Sequence, residues 1–102
     1  MEQSDALMLT PKDNVATSLQ DAGPGSDVQV RVGKEVRHVT ALERIPFGFK
    51  MATERIPKGG SVVKYGEPIG IASRDIAPGQ LVHVHNIEGA RGRGDLAKGG
   101  SQ

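Results

Sequence analysis

Cysteine and tryptophan are both absent from the 102 residues, and one tyrosine and two phenylalanines are the only aromatics. Without a thiol, the chain offers no disulfide, thiolate zinc site, iron–sulfur ligation or thiol nucleophile. Any metal must be bound through imidazole, carboxylate or carbonyl groups. Aromatics at 3% and a formal charge of +1, from 13 Lys plus Arg against 12 Asp plus Glu, supply neither stacking platforms nor a basic stripe. Nucleic acid is therefore not an expected partner. No apolar run approaches the roughly 20 residues that cross a bilayer, and Met1 to Thr10 lacks the basic start and apolar stretch of a secretory signal. No membrane partner is expected, and the cytoplasm is the default location.

Glycine and proline, by contrast, are plentiful: 14 and 6 residues respectively. With so few aromatics, this predicts many turns and short strands, a mainly β domain. The length suits a single core-forming domain over residues 1–88. Residues 89–102, rich in glycine with Arg91, Arg93 and Asp95, read as a flexible tail able to order on a partner. The arginine forks there suit carboxylate or phosphate groups.

Ala6 to Leu9 reads as a first strand. Pro11-Lys12-Asp13-Asn14 offers a helix start, with Val15, Ala16 and Leu19 on one side, and predicts one short helix near residues 13–20. Asp21 to Ser26 is a turn. Val28, Val30 and Val32 alternate with Gln29 and Arg31 as a half-buried strand, and Gly33-Lys34 turns it into a returning strand at Val36 to Val39. A small unit then recurs as Arg44-Ile45-Pro46-Phe47-Gly48, Arg55-Ile56-Pro57-Lys58-Gly59 and Asp75-Ile76-Ala77-Pro78-Gly79. Its uneven spacing excludes a solenoid, which needs a fixed period. Short, folded-over strands fit better.

The densest polar pattern is Leu81-Val82-His83-Val84-His85-Asn86. Read as an alternating strand, it buries Val82 and Val84 and projects His83 and His85 together, with Cα atoms about 6.5 to 7 Å apart. Such a pair can contribute to a divalent metal or an anion site, with Asn86 adding an amide, or can simply decorate a solvated face. Two ligands do not close a metal site, so further donors are needed from elsewhere. Lys64-Tyr65-Gly66 followed by Pro68-Ile69-Gly70 places a lysine at a turn where glycines permit close backbone approach, suiting a carboxylate or an ordinary surface turn. Lys50, between Phe49 and Met51, either snorkels from a buried edge or points into a cleft. The catalytic candidates are thus His83, His85 and Lys64. The substrate-binding candidates are Lys50, Tyr65 and Asn86, and the metal candidates are His83 and His85. His38 reads as structural. Nucleotide-binding loops and the Gly-x-Ser-x-Gly elbow are absent, so catalysis by the chain alone is not expected.

Taken together, Gly48-Phe49-Lys50-Met51-Ala52, Ile56-Pro57-Lys58-Gly59, Val62 to Gly70, Asp75-Ile76-Ala77-Pro78-Gly79 and His83-Val84-His85-Asn86 resemble the SAF domain of altronate and galactarate dehydratases. The likeness runs from about Val36 to Asn86. It implies a β-clip fold of long bent strands and a lyase family that eliminates water from hydroxy acids, with a relative that eliminates sulfite from sulfolactate. It also implies iron or another divalent metal in the full enzyme, none of it certain in this chain, and a much larger catalytic portion. His83, His85 and Lys64 match motif positions of the shared site. One departure stands out: the family commonly has Gly-His-Lys where this chain has Gly48-Phe49-Lys50.

The resulting expectation is a small SAF-domain subunit of a heteromeric sugar-acid dehydratase, completing a site with a large catalytic subunit that takes a hydroxy-acid substrate. A stand-alone module binding small carboxylates or carbohydrates is the alternative, and a purely structural interaction domain the third. Exposed strand edges also suit a homo-oligomer.

Overall fold

A computed structural model describes residues 5–89, and every regular element among them is a strand. In chain order these are β1 (Ala6–Met8), β2 (Val15–Ser18), β3 (Asp27–Val32), β4 (Glu35–Thr40), β5 (Lys50–Ala52), β6 (Ser61–Lys64), β7 (Glu67–Ala72), β8 (Leu81–Val82) and β9 (Ile87–Glu88). A six-stranded sheet has the order β4-β3-β1-β2-β5-β8, with β1 and β3 parallel and the other pairs antiparallel. A three-stranded antiparallel sheet, β6-β7-β9, stands apart from it.

The short helix expected near residues 13–20 does not form; that segment is a turn followed by β2. An isolated helix of that length nucleates poorly. Two competitors are stronger here. The carboxylate of Asp13 takes a hydrogen bond from the Thr10 hydroxyl at 2.8 Å and from the Leu9 amide at 3.2 Å, closing a local turn. Val15 to Ser18 then pairs with β1 on one side and β5 on the other, using the backbone groups that a helix would use internally.

Period-two burial organises the six-stranded sheet. Ala6, Met8, Val28, Val30, Val32, Ala16 and Met51 occupy one face and form a first apolar cluster with Ala22, Ala41 and Ile45. Val15, Ala52 and Val82 project from the other face and join Ile56, Val62, Ala72 and Ile76 in a second. Strands β2, β5 and β8 are therefore covered on both sides where the small sheet packs over them, and on that second face Thr17 and Lys50, paired in register, lie one step along from the Val15–Ala52 pair.

The recurring unit has a fourth copy that its sequence disguises, Asp21-Ala22-Gly23-Pro24-Gly25, where alanine replaces the isoleucine. The four corners work as two pairs. Ala22 and Ile45 exchange backbone hydrogen bonds, as do Ile56 and Ile76. Each corner glycine has positive φ (Gly25 86°, Gly48 85°, Gly59 86°, Gly79 92°) and donates its N–H to the end of the strand that leads into the partner corner: Ala41, Ser18, Ala72 and Ala52 respectively. In both pairs an aspartate reaches across: Asp21 accepts from the Phe47 amide and Asp75 from the Lys58 amide, each at 2.8 Å. Uneven spacing follows, because corners pair across the chain rather than stacking in order. One bridge plugs each apolar cluster.

Candidate functional site

The hairpin that carries Lys64 turns through Tyr65 (φ 58°) and Gly66 (φ 76°), two consecutive left-handed residues. Glycine adopts this freely, whereas a tyrosine there costs about 1 to 3 kcal/mol. Asp13 offsets the cost. Its carboxylate, 2% exposed, accepts the Gly66 amide at 2.8 Å and also the Tyr65 amide, in addition to Thr10 and Leu9. Burial alone raises its pKa, but these hydrogen bonds outweigh burial and hold the carboxyl below the usual aspartate range. Asn14 completes the attachment: its Oδ1 accepts from the Val63 amide at 2.8 Å, its Nδ2 donates to the Ser61 carbonyl at 2.9 Å, and its own amide donates to the Val63 carbonyl. Two adjacent polar residues thus fasten β6 and its turn to the start of β2.

This attachment sets Lys64 beside Lys50. Desolvation by burial, and then the charge of Lys64, hold the Lys50 ammonium below the usual lysine range. The Lys64 ammonium sits 4.7 Å from the centre of the half-exposed Tyr65 ring, a cation–π contact. Neither lysine forms an ion pair with a carboxylate among the described residues. Next to Lys50, the hydroxyl oxygen of Thr17 is buried and has no hydrogen-bond partner there. The arrangement is a half-buried shelf of positive charge, suited to an oxyanion.

The histidine segment departs from the expected strand. Pairing stops at Val82, and His83 to Asn86 form a turn in which the Asn86 and Ile87 amides both donate to the His83 carbonyl. The cause is Asn86, 3% exposed, whose Oδ1 accepts from the His83 amide while its Nδ2 donates to the Leu81 carbonyl. These side-chain bonds replace the ladder that alternation requires. Val84 is consequently 78% exposed rather than buried. His83 and His85 are exposed on the turn, and the His83 ring lies against Phe49, with centroids 4.9 Å apart and planes at 56°. Phe49 packs against the first cluster, whereas Lys50 projects from the opposite face. The candidates therefore fall into two groups, Lys50, Lys64 and Tyr65 on the shelf and His83 and His85 at the turn, while the amide of Asn86 is engaged by backbone. His38 pairs with Asp27 at 2.9 Å on the exposed β3–β4 ribbon.

The divalent metal implied by resemblance has no complete ligand set among the described residues, where no three His, Asp or Glu side chains gather. No helix among them is long and apolar enough to cross a membrane. Arg91, Arg93 and Asp95 of the expected tail lie outside the described residues.

Folded-over strands, paired corners and a small shelf define the class: a compact β domain of the β-clip kind. A sequence profile of the altronate/galactarate dehydratase SAF domain matches residues 4–90, and the chain belongs to this family. It is 45% identical over 74 residues to an altronate dehydratase of Escherichia coli (strain K12), covering 72% of this chain but 14% of that protein. It is 41% identical over 83 residues to an altronate dehydratase of Bacillus subtilis (strain 168), covering 80% of this chain and 16% of that one. Over 53 residues it is 40% identical to (2R)-sulfolactate sulfo-lyase subunit alpha of Paracoccus pantotrophus, covering 52% of this chain and 79% of that subunit. The chain thus spans a small fraction of the dehydratases it matches and most of the sulfo-lyase subunit within its aligned stretch. Sequence patterns place Asp13 and Asn14 at a helix start and give them no part in a site. A Thr-x-x-Asp-Asn run hints at a turn, but its partners lie some 50 positions away.

Proposed function

We propose that this domain acts as the small SAF-domain subunit of a heteromeric hydroxy-acid dehydratase, closing a site built mainly by a larger polypeptide. The observation that carries this reading is the pair of half-buried lysines Lys50 and Lys64, brought to one surface because β6 is fastened to the start of β2 and β2 pairs with β5, without a carboxylate partner among the described residues. Such a pair attracts a substrate carboxylate, and an anion between the lysines relieves their mutual repulsion. In the elimination, a base removes the proton next to the carboxylate, the C–H electrons form a C=C bond, and the β-hydroxyl departs as water. Lys50 and Lys64 hold the carboxylate, Tyr65 keeps Lys64 in place, and His83 or His85 protonates the leaving hydroxyl. The turn adjoins the shelf, since Lys50 pairs with Val82 just before His83, and a larger chain holds the substrate across both and supplies the ligands that a metal needs.

Relatives named as altronate and galactarate dehydratases and as a sulfo-lyase subunit support the reaction class and the two-chain arrangement. The test is co-purification with the candidate large chain and a dehydration assay on sugar acids with and without this domain. Activity is expected only from the pair, and Lys64→Met should raise KM at least tenfold, the loss of one charged hydrogen bond. Full activity of the large chain alone overturns the proposal. A stand-alone carboxylate-binding module remains the rival, favoured by the shelf lying within one chain; binding unaffected by any partner, together with no catalytic contribution, would select it.

A further inference from the structure

We infer that the outer edge of β4 pairs with the same edge of a second copy of this chain, antiparallel about a twofold axis at His38, so that two six-stranded sheets become one continuous sheet. The pairing does not depend on the lysine shelf, because β4 lies at the opposite edge of the sheet from β8. Strands β3 and β4 are linked by the two-residue turn Gly33-Lys34, and Val32 and Glu35 form its hydrogen-bonded closing pair. Bonding then alternates along β4: Glu35, Arg37 and Val39 turn their N–H and C=O groups to β3, and Val36, His38 and Thr40 turn theirs away. Ala41, next in the inward series, agrees with this phase by donating to the Ser26 carbonyl. The outward groups of Val36, His38 and Thr40 meet no partner among the described residues.

The other sheet edges are blocked. On β6, Asn14 accepts from the Val63 amide and donates to the Val63 and Ser61 carbonyls. On β8, Glu43 accepts from the Leu81 amide at 2.9 Å, and Asn86 bonds the Leu81 carbonyl and the His83 amide. Strand β9 has two residues. By contrast β4 has six, with no proline, lysine or bulge to deter a neighbour. A second copy fits this edge. Centring at His38 sets Val36 opposite Thr40 of the partner subunit and His38 opposite its own equivalent, which engages every outward group of both strands. Other registers carry part of β4 past the end of its partner strand, and the one centred on Arg37 also opposes two like charges. Charge does not resist the approach, because Glu35 and Arg37 pair within each copy at 3.5 Å and the chain carries a formal +1. Pairing of identical edges closes on itself, and with the other edges blocked assembly stops at two copies.

The experiment follows the full chain by sedimentation from about 50 μM to 1 mM, where a strand edge burying a small area should give a concentration-dependent monomer–dimer equilibrium. Amide exchange locates the contact: the Val36, His38 and Thr40 amides should slow roughly twofold or more over that range, with a smaller change at Arg37 and Val39, which bond to β3 in either state. His38→Pro removes an outward donor and no bond to β3, so it should stay monomeric and melt within about 5 °C of wild type. Because the chain has no cysteine, His38→Cys carries a single thiol that can be oxidised to a disulfide only with a second copy. Opposed Cα atoms at that position stand about 5.5 Å apart, within disulfide reach, and mild oxidation should cross-link this variant roughly tenfold faster than Lys12→Cys, placed on an exposed turn. A wild-type chain that is monomeric at the highest concentration overturns the inference, even where adding a larger chain then slows the outward amides. Outward amides protected in the monomer would mean that another segment of this chain covers the edge, and overturn it too. A dimer that survives His38→Pro, or equal cross-linking of the two cysteine variants, places the contact elsewhere with the same result. If His38→Pro does not fold, the cysteine pair decides.

Discussion

Asp13 shows how one buried side chain can position a site it never touches. Its carboxylate joins the Thr10 turn to the Tyr65-Gly66 turn, and without it a left-handed tyrosine would have no local compensation. Asp13→Asn leaves an acceptor but turns an amide group toward backbone donors, and should lower stability by about 2 to 3 kcal/mol near neutral pH. The sign of the pH dependence follows from the depressed pKa. Folded Asp13 binds its proton less readily than unfolded Asp13, so its contribution is complete above the unfolded value and is lost as pH falls through the folded one. Urea titrations should therefore show a gap between wild type and Asp13→Asn that narrows below about pH 3.9. A gap of constant size down to strong acid would mean that ionisation of Asp13 is irrelevant.

At the scale of elements, the four corners look alike in backbone angle but not in surroundings. A Cβ added at Gly59 meets nothing within 4 Å, whereas one added at Gly79 would lie 2.0 Å from the Thr40 carbonyl oxygen. Gly59→Ala should cost about 1 to 2 kcal/mol for the left-handed angle alone. Gly79→Ala should cost clearly more, because backbone has to move where the two corner pairs abut. Equal urea midpoints for the two variants would refute that close approach. The same elements mark how far sequence patterns reach. Val28, Val30 and Val32 declared β3 because one face of that strand meets the core and the other does not. Three corners were visible through their isoleucines, and the fourth was not, because a bridge residue need only be small and apolar. Residues 13–20 and 83–86 misled for one shared reason: Asp13 and Asn86 spend their side chains on backbone, which hydrophobic periodicity cannot register. Lys50, Lys64 and Tyr65 stood out in sequence, but the shelf itself depends on Asn14 reaching Ser61 and Val63, contacts that exist only once the sheets have packed.

For the molecule as a whole, the question is whether two apolar clusters and two corner pairs make two folding units or one. Adjacent residues of the shared strands point to opposite clusters: Val15 and Ala16 in β2, Met51 and Ala52 in β5. Neither cluster can open without exposing the back of the strands that line the other, and the backbone bond from Leu42 to the Gly79 carbonyl joins the corner pairs as well. The domain should therefore unfold as one unit, which also keeps the lysine shelf, built from both sheets, as rigid as the core. Ile56→Val, a change confined to the second cluster, should cost about 1 kcal/mol. If the coupling holds, amide exchange under globally limited conditions accelerates by about fivefold both in β6–β7 and in β3, although β3 contributes only to the first cluster. Faster exchange in β6–β7 with β3 unchanged would divide the domain in two, and the shelf would then sit on a hinge rather than on a fixed surface.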